Sequence, residues 1–340
     1  QYDLSGSMRQ MTRSRIKTLL RYFVSFGLIG WLVAGLDLQE LDDGLRRAEL
    51  KWLLLAHLLT PAALAFSVWK WRLLLEAHGH SLSRRSLWGF YLLGKLASNF
   101  MPSNVGGDFI RVALASRALG PSSWPAVTGS ILVERLTGLI GLFISLFAGA
   151  ALHFQWVRQL DLLFPILAGA LAILVACFLI FSRSSNRLLA WMGGWPLMER
   201  PVSLLMKLHD ACLTYSRRPA LLTGCIAISV VFYVLIAFQV WVLCWAFPWV
   251  EVSWTTQLVL FGIVALVSFL PISINGYGVQ ESVHVLLLMS LGFAQHEALV
   301  IALGYRAILL GPALVGALLF ASSGFVRSIF HRSAATTGVS

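Results

Sequence analysis

Charge is scarce in this chain: only 12% of its 340 residues are Asp, Glu, Lys or Arg, and just 15 are acidic. Soluble domains carry roughly 25% charged residues, so this composition cannot build a water-facing surface all round. No stretch without an apolar run is long enough for a soluble catalytic domain, which excludes an enzyme of that kind. The four cysteines, Cys177, Cys212, Cys225 and Cys244, have neither metal-ligand nor redox spacing, so no metal or other cofactor is implied. A Ser/His/Asp constellation and a phosphate-binding loop are both missing, and His78 and His80 in a short turn read as solvated.

What is abundant is apolar sequence. Hydrophobic residues make up 58% of the chain, and 13 are Trp. Runs at 20–36, 52–75, 126–152, 162–182, 219–247 and 296–321 each approach or exceed the length of about 20 residues that crosses a bilayer. Two further regions, 87–118 and 254–292, are apolar but broken near their centres. Their halves are too short to cross comfortably and suit re-entrant hairpins. The expected fold is an all-α integral membrane protein with about six full transmembrane helices and two broken re-entrant hairpins. The segments 38–50 and 184–217 are more polar and read as surface or interfacial helices.

Basic residues orient these spans. With a cytoplasmic N-terminus, the inner side holds 17 of the 26 Lys and Arg residues, from Arg9 through Lys70 and Arg218 to Arg332. The outer side holds Arg46, Arg47, Lys51 and Arg158. This positive-inside bias places both termini in the cytoplasm and the protein in an inner membrane. It also accounts for the net charge of +11 without invoking nucleic acid. The expected organisation is a cytoplasmic tail (1–17), one membrane domain (18–326) and a second cytoplasmic tail (327–340). Residues before Met8 look unlike a native start, so Gln1 to Ser7 read as an addition from cloning.

The most informative pattern is a repeat. Pseudo-repeats are expected around 87–152 and 254–321. The first unit reads Asn99-Phe100-Met101-Pro102, then Gly106-Gly107-Asp108, and later Arg135. The second reads Ser268-Phe269-Leu270-Pro271, then Gly276, Gly278 and Glu281, and later Arg306. Under the charge-derived orientation one hairpin enters from each side, so the repeats are inverted, as alternating access requires.

Arg135 and Arg306 fall near the middle of their runs, where an arginine costs at least about 2.5 kcal/mol unless it faces a partner or water. One reading is a pair of guanidinium forks that hold a lipid phosphate. The other is pairing within each unit, of Arg135 with Asp108 or Glu134 and of Arg306 with Glu281. Asp108 and Glu281 suit the first turn of a half-helix as dipole complements, or act with Glu134 as a proton or ion site. Gly106, Gly107, Gly276 and Gly278 leave backbone N–H groups free at half-helix N-termini, which suit anions. Asn99, Asn104, Ser273 and Asn275 would wet the same cavity.

These motifs, with Arg111 and the Glu134-Arg135 pair, resemble the lysylphosphatidylglycerol synthase transmembrane-region family from about Arg15 to Arg327. The resemblance implies flippase-like lipid translocation. Bifunctional members carry a soluble aminoacyl-transferase after such a domain, and this chain stops after the membrane part, so the expectation is a non-enzyme. Substrate contact is expected from Arg135, Arg306 and Arg111 together with the small polar residues above. The expected partner is a membrane lipid with an anionic phosphate headgroup, and a homo-oligomer is compatible with this reading. The rival functions are a membrane glycosyl- or phosphotransferase using Asp37, Asp42 or Asp43, and a partner subunit for a lipid-modifying enzyme.

Overall fold

The computed structural model describes residues 46–101, 106–182, 184–185, 199–247, 249–268, 273 and 275–321, with Gly27, Leu28 and Gly30. Among these residues every regular element is a helix. The expected first span, 20–36, and the acids Asp37, Asp42 and Asp43 lie outside them, apart from those three isolated positions.

Helix α1 (Leu50–Glu76) is apolar enough to span and carries Pro61 within it. Ser83 caps α2 (Arg84–Phe100), its hydroxyl accepting from the Ser86 N–H at 3.1 Å. The next described helix is α3 (Gly106–Leu119). Gly120 turns the chain at φ +104°, and a short 3-10 turn leads into α4 (Trp124–Leu152). A one-and-a-half-turn helix, α5 (Phe154–Gln159), precedes α6 (Leu163–Phe181). Next come α7 (Glu199–Ser216) and α8 (Pro219–Trp245), the latter opened by a proline where its missing N–H costs nothing. The second broken region forms α9 (Trp254–Ser268) and α10 (Val279–Met289), followed by α11 (Gln295–Ala321).

Five of these helices, α1, α4, α6, α8 and α11, have the length and composition of membrane spans. On α6, Phe164, Leu167, Leu171, Leu174 and Phe178 are all exposed, a face that only hydrocarbon covers without cost. The protein is an all-α membrane protein.

The two broken regions stand at the centre of the packing. Within each unit the two short helices pack together, α2 on α3 and α9 on α10. Between units the contacts cross over: α11 lies along α2, while α4 lies along α9. Glycines let backbones touch at both crossings. A Cβ at Gly316 would stand 2.5 Å from the Leu92 carbonyl oxygen, and one at Gly149 would stand 2.8 Å from the Leu258 Cβ. Each long helix is thus seated on the other half's short one.

Candidate functional site

The first unit builds a buried ionic cluster from the helix break outward. A Cβ on Gly107 would fall 2.2 Å from the Gly94 carbonyl oxygen, so only glycine lets α2 and α3 meet there. That contact places Asp108, in the first turn of α3, against α4. The Asp108 carboxylate accepts from Arg135 Nε at 2.6 Å and from Arg111 Nη1 at 3.2 Å. Arg111 donates its other terminal nitrogen to Glu134 Oε2 at 2.5 Å, and the Tyr91 hydroxyl donates to Glu134 Oε1 at 3.2 Å. All four carboxylate oxygens are therefore engaged.

Arg111 is the keystone of this cluster. Its guanidinium lies between two aromatic faces, 4.2 Å from the Trp71 ring centroid and 4.4 Å from that of Tyr91. Stacking and ion pairing together offset the cost of burying a cation. Sequence reasoning gave Arg111 a substrate contact; the structure places it in the cavity lining described below, with its guanidinium bonded to both acids.

The cluster opens into a cavity of about 260 Å³ bounded by α1, α2, α3, α4, α8 and α11. Its charged lining is Lys70, Lys95, Asp108, Arg111, Glu134 and Arg135. Four bases thus face two acids, and both acids are consumed by the arginines. Lys70, on α1, donates to the Glu134 carbonyl oxygen at 3.0 Å and to Ser229 Oγ on α8 at 2.8 Å. Lys95 forms no salt bridge with the described residues; its ammonium lies 6.0 Å from the Tyr91 ring centroid. Beyond the charged end, Leu64, Phe232, Ile236 and Ile308 make the wall apolar, with Thr60 and Gln239 as neutral polar groups.

Lys70 and Ser229 are functional candidates that sequence reasoning missed. Lys70 ends an apolar run beside Arg72, so it counts as a cytoplasmic loop charge; the structure buries it inside the protein. The only linear hint was its place one residue before Trp71, still within the apolar period of α1.

The second unit repeats the ion pair but encloses it. Arg306 donates through Nε to Glu281 Oε1, through Nη2 to Gln280 Oε1 at 2.8 Å, and through Nη1 to the Asn275 carbonyl oxygen at 3.4 Å. The Tyr277 ring covers the guanidinium at 4.4 Å. Glu281 Oε2 accepts from the Gly278 N–H at 2.8 Å, closing the start of α10. Gly276 and Gly278 take φ of +77° and +80°, and Asn275 takes +48°. These left-handed residues form the tight loop that wraps Arg306. Arg306, Ser273 and Glu281 are buried and stand outside the lining of the cavity. Sequence reasoning had both mid-span arginines facing one cavity; Arg135 is in the lining of the cavity above, and Arg306 lies outside that lining, beneath the Tyr277 ring.

Other expected residues fall between the two clusters. Asn99, at the end of α2, accepts from Asn275 Nδ2 at 2.9 Å and from the Tyr277 hydroxyl at 3.0 Å, joining the two breaks directly. The Met101 side chain packs against Gly106. Asn104 lies outside the described residues. His78 sits in the turn after α1 with Tyr215 edge-on at 4.9 Å, and burial, then the nearby His80, hold its imidazole below the usual range.

Long apolar helices around a charged, internally paired cavity define a polytopic membrane protein with a polar interior rather than a simple anchor. The chain belongs to the family described as Lysylphosphatidylglycerol synthase TM region, whose profile matches residues 18–316. By that description the family is the membrane part of a lipid synthase, which ties the chain to membrane lipids. Comparison with curated proteins gives no match.

Proposed function

We propose that this protein moves a lipid with an anionic phosphate headgroup between leaflets of an inner membrane. The headgroup occupies the cavity beside Lys70, Lys95 and Arg135 while its tails stay in the bilayer. One observation carries this reading: the cavity holds four bases and two acids, and every oxygen of those acids is already engaged by the protein. Positive charge in a cavity without a protein counter-ion is costly where it is buried, as Lys70 is, and an arriving phosphate relieves that cost. Lys95 is exposed on the same lining. Arg135 is suited to the contact, since its side chain is 36% exposed against 10% for Arg306.

The two broken helix pairs act as re-entrant hairpins of an inverted repeat, with both termini cytoplasmic. The Asn99 contact to Asn275 and Tyr277 then closes the cavity where the hairpin tips meet, and it parts when the cavity opens. Both carboxylates in the cluster are held in ion pairs with arginines, which supports translocation over group transfer. With the inside negative, outward movement of one anionic charge is downhill by about 2.3 kcal/mol per 100 mV.

Reconstituted full-length protein tests this. Acyl-labelled anionic phospholipid should equilibrate between leaflets faster than in empty vesicles, and Arg135→Lys should slow it because an ammonium lacks the planar two-point contact. Equal rates with and without protein would remove the transport reading. Orientation is separable: a cysteine placed in the 119–125 turn should label only from the cytoplasmic side, and labelling from outside would overturn the re-entrant topology.

A further inference from the structure

The charge balance of the cavity also bears on which phosphate it holds. Resting on the anionic-lipid reading above, we infer that the cavity selects a lipid phosphomonoester over a phosphodiester and over headgroups that carry an ammonium.

The excess charge can be located. Arg111 and Arg135 are matched by Glu134 and Asp108 through direct ion pairs. Lys70 and Lys95 have no carboxylate partner among the described residues, so the uncompensated charge is two. A phosphomonoester carries about −1.5 to −2 charges at neutral pH and presents three terminal oxygens. A phosphodiester carries a single charge and has two such oxygens. The monoester therefore matches the two lysines in charge. The Lys95 ammonium supplies three donors, and Lys70 has one N–H left after its bonds to Glu134 and Ser229.

The shape agrees. At about 260 Å³ the cavity lies below the roughly 300–1,000 Å³ common for sites that enclose whole small molecules. A bare phosphate and the first atoms of its tail fit, with the tail running along Leu64, Phe232, Ile236 and Ile308. From Lys70 to Thr60 along α1 this amphipathic track extends about 15 Å. An ammonium-bearing headgroup would meet two lysines, and the carboxylates there are already paired with arginines.

Binding by the purified full-length protein separates the cases, using acyl-labelled phosphatidate displaced by unlabelled phosphatidate, phosphatidylglycerol, phosphatidylethanolamine or phosphatidylcholine. Phosphatidate should bind at least about tenfold more tightly than phosphatidylglycerol near neutral pH. That preference should shrink as pH falls through about 6, where the monoester dianion takes up one proton and becomes a monoanion. The bases facing the ligand are Lys70 on α1, Lys95 on α2, Arg111 on α3 and Arg135 on α4. Tyr91, Asp108, Glu134 and Tyr233 face it too, so phosphatidylglycerol on the same protein controls for any titration of the protein itself. Lys95→Gln should bring the two affinities together; Lys95 is in no ion pair that its loss would disrupt. Equal binding of phosphatidate and phosphatidylglycerol by the unaltered protein overturns the monoester inference and leaves the anionic-lipid reading standing. Binding of neither above phosphatidylcholine overturns both.

Discussion

The two repeated units use the same pair of residue types to opposite ends. In the first, the arginine of the long helix reaches the acid of the half-helix and still faces a cavity. In the second, Arg306 reaches Glu281 and is then covered by Tyr277, Gln280 and Asn275. The difference has a sequence origin. Asp108 follows Pro102 by six positions, whereas Glu281 follows Pro271 by ten. The longer second break contains Asn275, Gly276, Tyr277 and Gly278, the loop that closes over Arg306. The first unit instead adds a second arginine. Arg111 is stacked on aromatic rings and paired with acid, as Arg306 is, which leaves Arg135 the more open of the two arginines that line the cavity. The two units thus share an Arg–acid ion pair, and only the first unit's pair lines the cavity.

The largest test of this division falls on Arg111. Arg111→Leu removes both partners' shared donor and leaves Glu134 with only the Tyr91 hydroxyl. A loss of about 5 kcal/mol is expected, from a stranded buried carboxylate and two lost stacking contacts. Thermal unfolding of the detergent-purified variant measures it. Near-wild-type stability would mean that Arg111 is not the first unit's clamp.

Next in size is the contrast between Arg306 and Arg135. Arg306→Ala strands Glu281, which keeps the Gly278 N–H, so about 3 kcal/mol of stability should be lost. The double change Arg306→Ala with Glu281→Gln should recover much of it and retain transport. Arg135→Ala should cost only about 1 kcal/mol, since the arginine is partly open to solvent and Asp108 still holds Arg111, yet transport should fall. Stability and transport measured together on the three variants decide the point. If the double variant is stable and immobile, Arg306 belongs to the site after all.

This contrast also shows what could be read in advance. The apolar runs, the two breaks and the pairing of Arg306 with Glu281 follow from local pattern, because helix periodicity and the cost of a buried charge act on nearby residues. For Arg135 the pattern leaves both Asp108 and Glu134 open. The five expected full spans after the first correspond to α1, α4, α6, α8 and α11. The cavity walls were not legible. Lys70, Trp71 and Tyr91 reach the ionic cluster only because α1 and α2 pack there, and Ser229 only because α8 meets α4. A lysine at the end of an apolar run looks the same whether it snorkels to the cytoplasm or turns inward to a serine 159 positions away. The sealing of Arg306 was hidden for a similar reason: Tyr277 in a glycine-rich break gives no sign of where its ring will stack.

The smallest expected effect lies where the two units touch. Asn99 Oδ1 accepts from both Asn275 and Tyr277, so one atom of the first break holds two donors of the second. Tyr277→Phe removes one of these bonds and keeps the ring over Arg306, which should cost about 1 kcal/mol. Asn99→Ala removes both and leaves each unit's ion pairs intact, for about 1–2 kcal/mol. If the contact only staples the fold, both variants should transport at the wild-type rate. If it closes the cavity, the closed form loses stability relative to the open one, and a cysteine placed at Ser98 on the cavity lining should react faster with a water-soluble maleimide. The order of reactivity should be Asn99→Ala, then Tyr277→Phe, then the unaltered chain. Arg306→Ala with Glu281→Gln should join this series, because it frees Tyr277 from the guanidinium that positions it. Unchanged labelling across the series would show that the sealed unit holds its own loop in place and has no influence on access to the cavity.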